Sequence, residues 1–475
     1  MLPTFCWKYA PGSFNHRAST NTGVVHSDDE MGRTTSFNEP GKPSSTSSSP
    51  EIRKVLISGA GICGPVIAFW LAKAGIQVTV LERSASFRPG GHTISLAAPG
   101  IEVLELMGLT EQVEQRMTKQ IGLKFRNRNN QTRGTFPLKD HGFSFTSDVE
   151  IVRSELAKLL YQASLSDRVE YIFGDAIDSI DESDHSIRVS LQNDKSRVME
   201  YDILIVAEGT YSQTRSKVFK EDVTAPLKFF DQWVALFSYK ANPDELTERW
   251  GNWYHIPNCP SVVVRPDGLG NMRVMILGLR SPEMTDTLTT SQVSDEIKKE
   301  YLIDLYKGTG WQSEKFVDAI RNAEDLYFQR VTQTKCPTWS KGRVVLVGDA
   351  GYCPSSMTGM GTTVGLVGSY VLAGKIVENQ ADHKAAFNAY EELLRAPMEA
   401  VHTFPPGYPW IGCPESYLGI FLLHFFLRVA GYIQASKAFS FFSRLKEKLS
   451  TPDTLELPEP SIFVEKQSSI VSPIK

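Results

Sequence analysis

Residues 54–83 constrain the fold most: Lys-Val-Leu-Ile-Ser-Gly-Ala-Gly-Ile-Cys-Gly-Pro-Val-Ile-Ala-Phe-Trp-Leu-Ala-Lys-Ala-Gly-Ile-Gln-Val-Thr-Val-Leu-Glu-Arg. Val55-Leu56-Ile57 is a short apolar run suited to a buried parallel strand. Gly59, Gly61 and Gly64 follow at G-x-G-x-x-G spacing. In such a turn the first glycine allows the tight bend, the second lets a pyrophosphate approach the backbone, and the third lets helix and strand pack closely. Ile67, Leu71 and Ala74 recur at helical spacing, and Gly75 stops the helix. Val78–Leu81 reads as a second strand, ending in Glu82 where a ribose-binding acid belongs. A glycine turn alone is weak evidence, but strand, helix, second strand and acid occur here in order. The stretch is read as a dinucleotide site rather than a βαβ unit that binds nothing.

The 475 residues leave room for two or three domains. A net charge of -4 gives no electrostatic reason to expect nucleic acid. Six cysteines stand singly, without the pairing of a metal site, and suit a reducing compartment. Residues 1–50 end in a Ser/Pro run and read as a disordered tail. Asp28, Asp29 and Glu30 argue against a transit peptide. The expected location is the cytoplasm.

Downstream, Arg88-Pro89-Gly90-Gly91-His92 forms a glycine loop before a strand, and Ile101, Leu104 and Leu109 suit a short helix. Gly122–Arg126 and Thr135–Leu138 read as strand pieces, and Arg153 opens a helix with Ser154 as candidate N-cap. A second buried strand, Ile203–Ala207, runs into Glu208-Gly209 and on to Arg215. From 226 the pattern changes to aromatic, alternating strands, with Pro266-Asp267-Gly268 as a turn, then helices over 292–306 and 313–323. A third buried strand, Arg343–Val347, leads into Gly348-Asp349-Ala350-Gly351-Tyr352-Cys353-Pro354-Ser355-Ser356-Met357-Thr358-Gly359-Met360-Gly361 and a helix over 362–378. Free amides at that helix N-terminus make an anion site. Another helix covers 383–400. The apolar stretch Tyr417–Ile433 follows Pro405–Pro409; His424 and Arg428 interrupt it, so a helix docked across the two domains is preferred to membrane attachment, the second reading. Arg444, Lys446 and Lys448 keep that second reading open.

Three ordered segments, Gly59–Gly64 with Glu82-Arg83, Glu208-Gly209 with Arg215, and Gly348-Asp349 with Gly359-Met360-Gly361, resemble the FAD-dependent aromatic hydroxylases. The likeness spans about 52–400 and is most specific at 343–374, which is similar to the polyketide and tetracycline hydroxylase branch. It implies an α/β fold: a Rossmann-like FAD-binding domain (51–225 and 331–400, with substrate-side strands at 121–150), an inserted antiparallel β-sheet substrate domain (226–330), and a C-terminal helical region (401–475). It assigns Gly59, Gly61, Gly64, Glu82, Arg83, Arg153, Glu208, Asp349, Pro354, Gly359 and Gly361 to the cofactor. Glu82 would take the adenosine ribose, Asp349 the other ribose or ribityl hydroxyls, and Arg153 ribityl or phosphate oxygens. The Gly359–Gly361 turn would stabilise negative charge on reduced flavin. Three positions depart from the pattern: Glu208 where the family has Asp, Ser95 where an acid is frequent, and Ser356 in place of a proline.

The implied function is an FAD monooxygenase. NADPH or NADH, bound transiently, reduces the flavin, and a flavin hydroperoxide delivers one atom of molecular oxygen to a bulky, polyketide-like aromatic substrate. Trp233, Phe237, Trp253 and His255 are the expected pocket wall, with His255 the candidate phenol-activating base beside the catalytic turn Gly359 and Gly361. An FAD oxidase, an epoxidase, a Baeyer–Villiger-type enzyme and a non-catalytic binding protein are the alternatives. A halogenase is disfavoured because Trp250-Gly-Asn-Trp253-Tyr-His-Ile256-Pro257 departs from Trp-x-Trp-x-Ile-Pro.

Overall fold

The computed structural model describes residues 51–87, 91–138, 149–279, 287–288, 293–310, 312–404, 410, 412–435 and 460–463. The expected tail 1–50, the loop residues Arg88–Gly90, the Pro405–Pro409 segment and the cations Arg444, Lys446 and Lys448 lie outside these.

The first apolar run becomes the strand Lys54–Ser58, with Val55, Leu56 and Ile57 completely buried. A strand this apolar must be covered on both faces and paired on both edges. Its parallel neighbours are Gln77–Glu82 on one side and Ile203–Val206 on the other. The full sheet runs Ser340–Lys341, Val344–Leu346, Ile203–Val206, Lys54–Ser58, Gln77–Glu82, Val169–Phe173, parallel except for its first short edge strand. Helix Cys63–Lys73 packs between helices Arg153–Ser164 and Gly361–Glu378. An antiparallel meander, Ile177–Glu182, Ile187–Leu191 and Val198–Tyr201, adds Ile187, Val189 and Leu191 to the same core. The sequence reading did not find this meander, whose strands are short and largely polar on their outer side.

The second sheet has seven strands in the order Tyr327–Thr334, Leu227–Lys240, Asn271–Leu279, Ser261–Pro266, Gly251–His255, Gly122–Asn127, Thr132–Pro137. All neighbours are antiparallel except Gly251–His255 against Gly122–Asn127. Strand alternation divides its side chains into two cores. Trp233, Ala235, Phe237, Tyr254, Val262 and Ile276 pack with the helices Asp295–Tyr306 and Ser313–Arg321. Leu123, Phe125, Phe136, Val263 and Leu277 face the other way, with Cys413 and Leu427 of the C-terminal region. The helix Tyr417–Ala435 therefore lies on the outer strand of this sheet, Thr132–Pro137.

The helix read from 362 begins at Gly361, and the one read with Ser154 as its cap begins at Arg153 with Val152 as N-cap and no side-chain cap. The reason is geometric: Val152 pairs with Thr93 up to the strand's last residue, so the turn starts one position early. Within helix Gly361–Glu378, Gly368 faces the Tyr352 ring so closely that a methyl there would overlap the phenol oxygen. The Tyr352 hydroxyl lies 2.7 Å from that of Tyr390, which donates to the Leu346 carbonyl at 3.2 Å. Gly368→Ala is expected to lower unfolding free energy by about 1–3 kcal/mol through overpacking. Adding Tyr352→Phe, which removes the clashing oxygen, should recover part of the loss. Denaturant titration measures both, and an unchanged midpoint for the single variant would refute the packing argument.

Candidate active site

The carboxyl ends of three neighbouring parallel strands, Lys54–Ser58, Ile203–Val206 and Val344–Leu346, build the site together with the end of Gln77–Glu82 beside them, as ligands demand in open α/β sheets. After Lys54–Ser58 the chain turns at Gly59, with φ +113°. A side chain there would overlap the Ala207 carbonyl, and one on Gly64 would overlap the carbonyl of Gly59. These two glycines are thus required by packing. Gly61 is different: the nearest atom to a Cβ built on it is Arg153 Nη2, 3.7 Å away, which leaves its backbone approachable. The helix that follows has no side-chain N-cap, so its first amides point at the same space. Glu82 is held over the turn, its two oxygens accepting from Ala60 N at 3.0 Å and Ser84 N at 2.9 Å. Arg83 beside it is exposed.

Glu208, at the end of the second strand, is enclosed by its own chain. Its carboxylate accepts from Ser58 Oγ at 2.5 Å, Thr214 Oγ1 at 2.5 Å, Ser212 Oγ at 2.7 Å and Thr214 N at 3.0 Å. The extra methylene relative to Asp lets it span two strand ends. Arg215, buried behind it, donates to the carbonyls of Ala350, Thr210 and Val223 at 2.8, 2.9 and 2.7 Å. The 208–215 segment is therefore a clamp between the second and third strand ends.

Asp349 lies at the third. Burial raises its pKa, while the Cys353 thiol and the Arg153 guanidinium pull the other way. A Cβ on Gly361 would lie 3.9 Å from Asp349 Oδ1. Cys63, pushed up to about 12 by burial, feels both Asp349 and Arg153. Gly61, Arg153, Asp349 and Gly361, read from segments far apart in sequence, thus converge. Pro354 is buried behind the turn, its carbonyl accepting from Gln333 Nε2 at 3.2 Å. Ser355 next to it carries φ +90° while almost fully buried, a strained conformation of the kind that costs about 1–3 kcal/mol and concentrates at functional sites. Gly359 is exposed with φ +67°, and a Cβ there would meet nothing within 4 Å. Helix Gly361–Glu378 also begins without a side-chain cap. Two uncapped helix N-termini, approachable glycines at 61 and 359, and Glu82, Arg153 and Asp349 form a donor and acceptor set that fits a long anionic dinucleotide.

One group escaped the sequence reading. Ser95 pairs across strands with Glu150, and its hydroxyl donates to Glu150 Oε1 at 3.3 Å. Glu150 is nearly fully buried and bonded at 2.7 Å by Arg265 of the seven-stranded sheet. The acid missing from position 95 stands opposite it, and its arginine ties the seven-stranded sheet to the two-stranded ribbon of Thr93–Leu96 and Val149–Val152. His92 beside them is pushed down to about 4 by burial, with Arg153, Arg265 and Arg273 adding repulsion. Only the fold reveals that cross-strand pairing.

His255 is not part of the convergent cluster. It is buried on the seven-stranded sheet, stacked on Phe125 and Trp253, with Nδ1 3.3 Å from His424 Nε2 of the C-terminal helix. Trp253 shares its face. Trp233 and Phe237, expected beside them, are on the opposite face, in the helix-covered core, because they fall on the other parity of their strand. Trp233 stacks on Phe328 there, with ring centroids 4.8 Å apart.

Comparison with known proteins agrees with this geometry. Residues 53–403 match the family described as FAD binding domain. A flavin-dependent monooxygenase from a Phoma species, eupH, is 33% identical over 437 residues, covering 86% of this chain and 99% of the relative. The FAD-dependent monooxygenase asL4 of Sarocladium schorii is 34% identical over 333 residues, 69% of this chain and 76% of the relative. Among solved structures, the tetracycline destructase Tet(55) superposes with a TM-score of 0.62 at 28% identity, covering 74% of this chain and 88% of that one. With a cofactor cleft that fits FAD and relatives of this kind over most of its length, the chain belongs to the FAD-dependent aromatic hydroxylase family and is an FAD-dependent monooxygenase.

Proposed function

We propose that the enzyme inserts one oxygen atom into a bulky, polyketide-like aromatic molecule, using NADPH or NADH as transient electron donor. One observation carries the substrate class. Phe125, Trp253 and Met275 line one face of the seven-stranded sheet, and Met357, two residues before Gly359, packs into the same apolar cluster. A flat aromatic molecule laid on that face would lie between the sheet and the turn. Trp253 Nε1, buried there without a hydrogen-bond partner, and the His255 ring, which also meets the Gly412 backbone, supply polar atoms to orient it.

Bound FAD supplies the electron transfer and oxygen chemistry. The chain's residues hold and tune it. Glu82 accepts from ribose hydroxyls and Asp349 from hydroxyls farther along, while Arg153 donates to phosphate or ribityl oxygens. The open amides at Gly361 place the positive end of an 18-residue helix where negative charge develops, a contribution of about 0.3–2 kcal/mol. Glu208 supports this site from behind by fixing Ser58 and Thr214. His255 enters in a narrower role than general base. Burial and neighbouring His424 push it down to about 3, so it is neutral at working pH and hydrogen-bonds a substrate hydroxyl.

The direct test is the purified protein's visible spectrum, followed by NADPH oxidation with a panel of aromatic polyketides and product mass spectrometry. Products one oxygen heavier are expected; hydrogen peroxide with unchanged aromatics would replace this reading by an oxidase. Asp349→Ala should lose most bound flavin, measured as flavin released per protein, and full occupancy would contradict its role. For His255 the folded pKa lies below the unfolded value of 6.5. The unfolded state therefore binds the extra proton, and stability falls as pH drops from about 6.5 towards 3, by about 1.4 kcal/mol per pH unit for each such histidine. His255→Asn should flatten that acid-side slope in urea titrations between pH 7 and pH 4.5. It should leave the shape of the kcat/KM profile between pH 6 and 9 unchanged; loss of an acid-side limb in that range, where the rate rises as a base deprotonates, would restore the general-base role.

A further inference from the structure

We infer that the outer face of the C-terminal helix Tyr417–Ala435 docks in the plane of a bilayer surface bearing anionic headgroups. Its inner face is occupied: Ile420, His424 and Leu427 are buried against the seven-stranded sheet, Leu427 over Gly134. Its outer face is a continuous apolar stripe of Leu418, Phe421, Leu422, Phe425, Phe426 and Val429. Phe421 is 65% and Phe425 55% exposed, an unusual state for two large aromatics one turn apart in a monomer. Scattered apolar surface residues are ordinary, but these follow i, i+3, i+4 spacing along about three turns of one helix.

The surrounding charge selects the occupant. The helix holds no acid, and neither does the hairpin 122–137 beneath it, which carries Lys124, Arg126, Arg128 and Arg133. Lys124 and Arg126 face Glu248 at 3.7 and 3.8 Å. Arg128 lies over the Tyr417 ring, 5.9 Å from its centroid, and Arg133 and Arg428 both come close enough to His424 to depress its basicity. A cationic rim around an aromatic stripe, on a chain of net charge -4, is the pattern of a helix lying in a headgroup layer. A second copy fits less well, because two-fold pairing of this face would bring the arginine rims together. Spanning is also disfavoured: among the described residues no helix is long and apolar enough to cross a membrane, and half of this one is committed to the sheet. Bilayer docking rests on this surface alone and is independent of the substrate assignment.

The test is flotation of the full-length holoenzyme with vesicles of phosphatidylcholine alone or with about one-third phosphatidylserine. Co-flotation with the serine-containing vesicles is expected, reduced at least tenfold on pure phosphatidylcholine or at high salt. Phe421→Glu with Phe425→Glu should abolish flotation while bound-flavin absorbance and thermal midpoint stay at wild-type values. Arg128→Gln with Arg428→Gln, which spares the apolar face, should remove the preference for anionic vesicles. Wild-type protein that stays with the bottom fraction overturns the proposal. So does a phenylalanine variant that floats like wild type, or a dimer by light scattering that those substitutions dissociate without any vesicle binding.

Discussion

The cofactor side of this molecule depends on three strand ends held in contact by buried polar groups. Glu208 gathers Ser58, Ser212 and Thr214, and Arg215 reaches from the same segment to the Ala350 carbonyl. Each group satisfies donors or acceptors that would otherwise be buried unpaired, at a penalty of about 1–3 kcal/mol apiece. Because every hydrogen bond of the clamp is made within the chain, it ties the glycine turns at 59–64 and 348–361 to each other. Binding then costs little rearrangement, the condition for electrostatic preorganisation.

Much of this was legible in the sequence because glycine spacing and strand-terminal acids are local signals. The βαβ unit at 54–83 and the helix after Gly361 fall within a residue or two of the places their patterns dictate. What was not legible depended on parity and cross-strand register. Trp233 and Trp253 look equivalent as aromatics in alternating strands, yet one lies in the helix-covered core and the other on the face towards Met357. Glu150 could not be matched to Ser95 without knowing that their strands pair. Glu208 illustrates a subtler limit: its type and place pointed to the cofactor, but nothing local pointed to Ser58, Ser212 and Thr214, which hydrogen-bond both of its oxygens.

The two sheets divide the chemical labour. Conserving charge and hydroxyl partners falls to the parallel sheet, where Asp349 and Arg153 face each other across Gly61 and Gly361. The seven-stranded sheet offers apolar area with only a few polar atoms, and burial lowers the basicity of His255 on it and of His424 packed against it. The Arg265–Glu150 bridge joins the seven-stranded sheet at a buried point to the ribbon of Thr93–Leu96 and Val149–Val152, so an ion pair links that sheet to the segment that runs into Arg153. Such a pair gives orientation more than net stability.

The chain order of the seven-stranded sheet has its own consequence. The hairpin 122–127 and 132–137 joins the sheet through 122–127, which pairs with 251–255 only after the parallel-sheet strands 169–173 and 203–206 have intervened in the sequence. The helix from 417 then returns to cover the hairpin made first, and Pro460–Phe463 returns to pack on Trp70, near the start of the chain, and on Tyr370. Neither sheet is a contiguous segment, so neither can be cut out and folded alone. As it leaves the ribosome, the early hairpin must wait for more than a hundred residues before its parallel partner strand exists. That places assembly among the slow, non-local class of folding reactions.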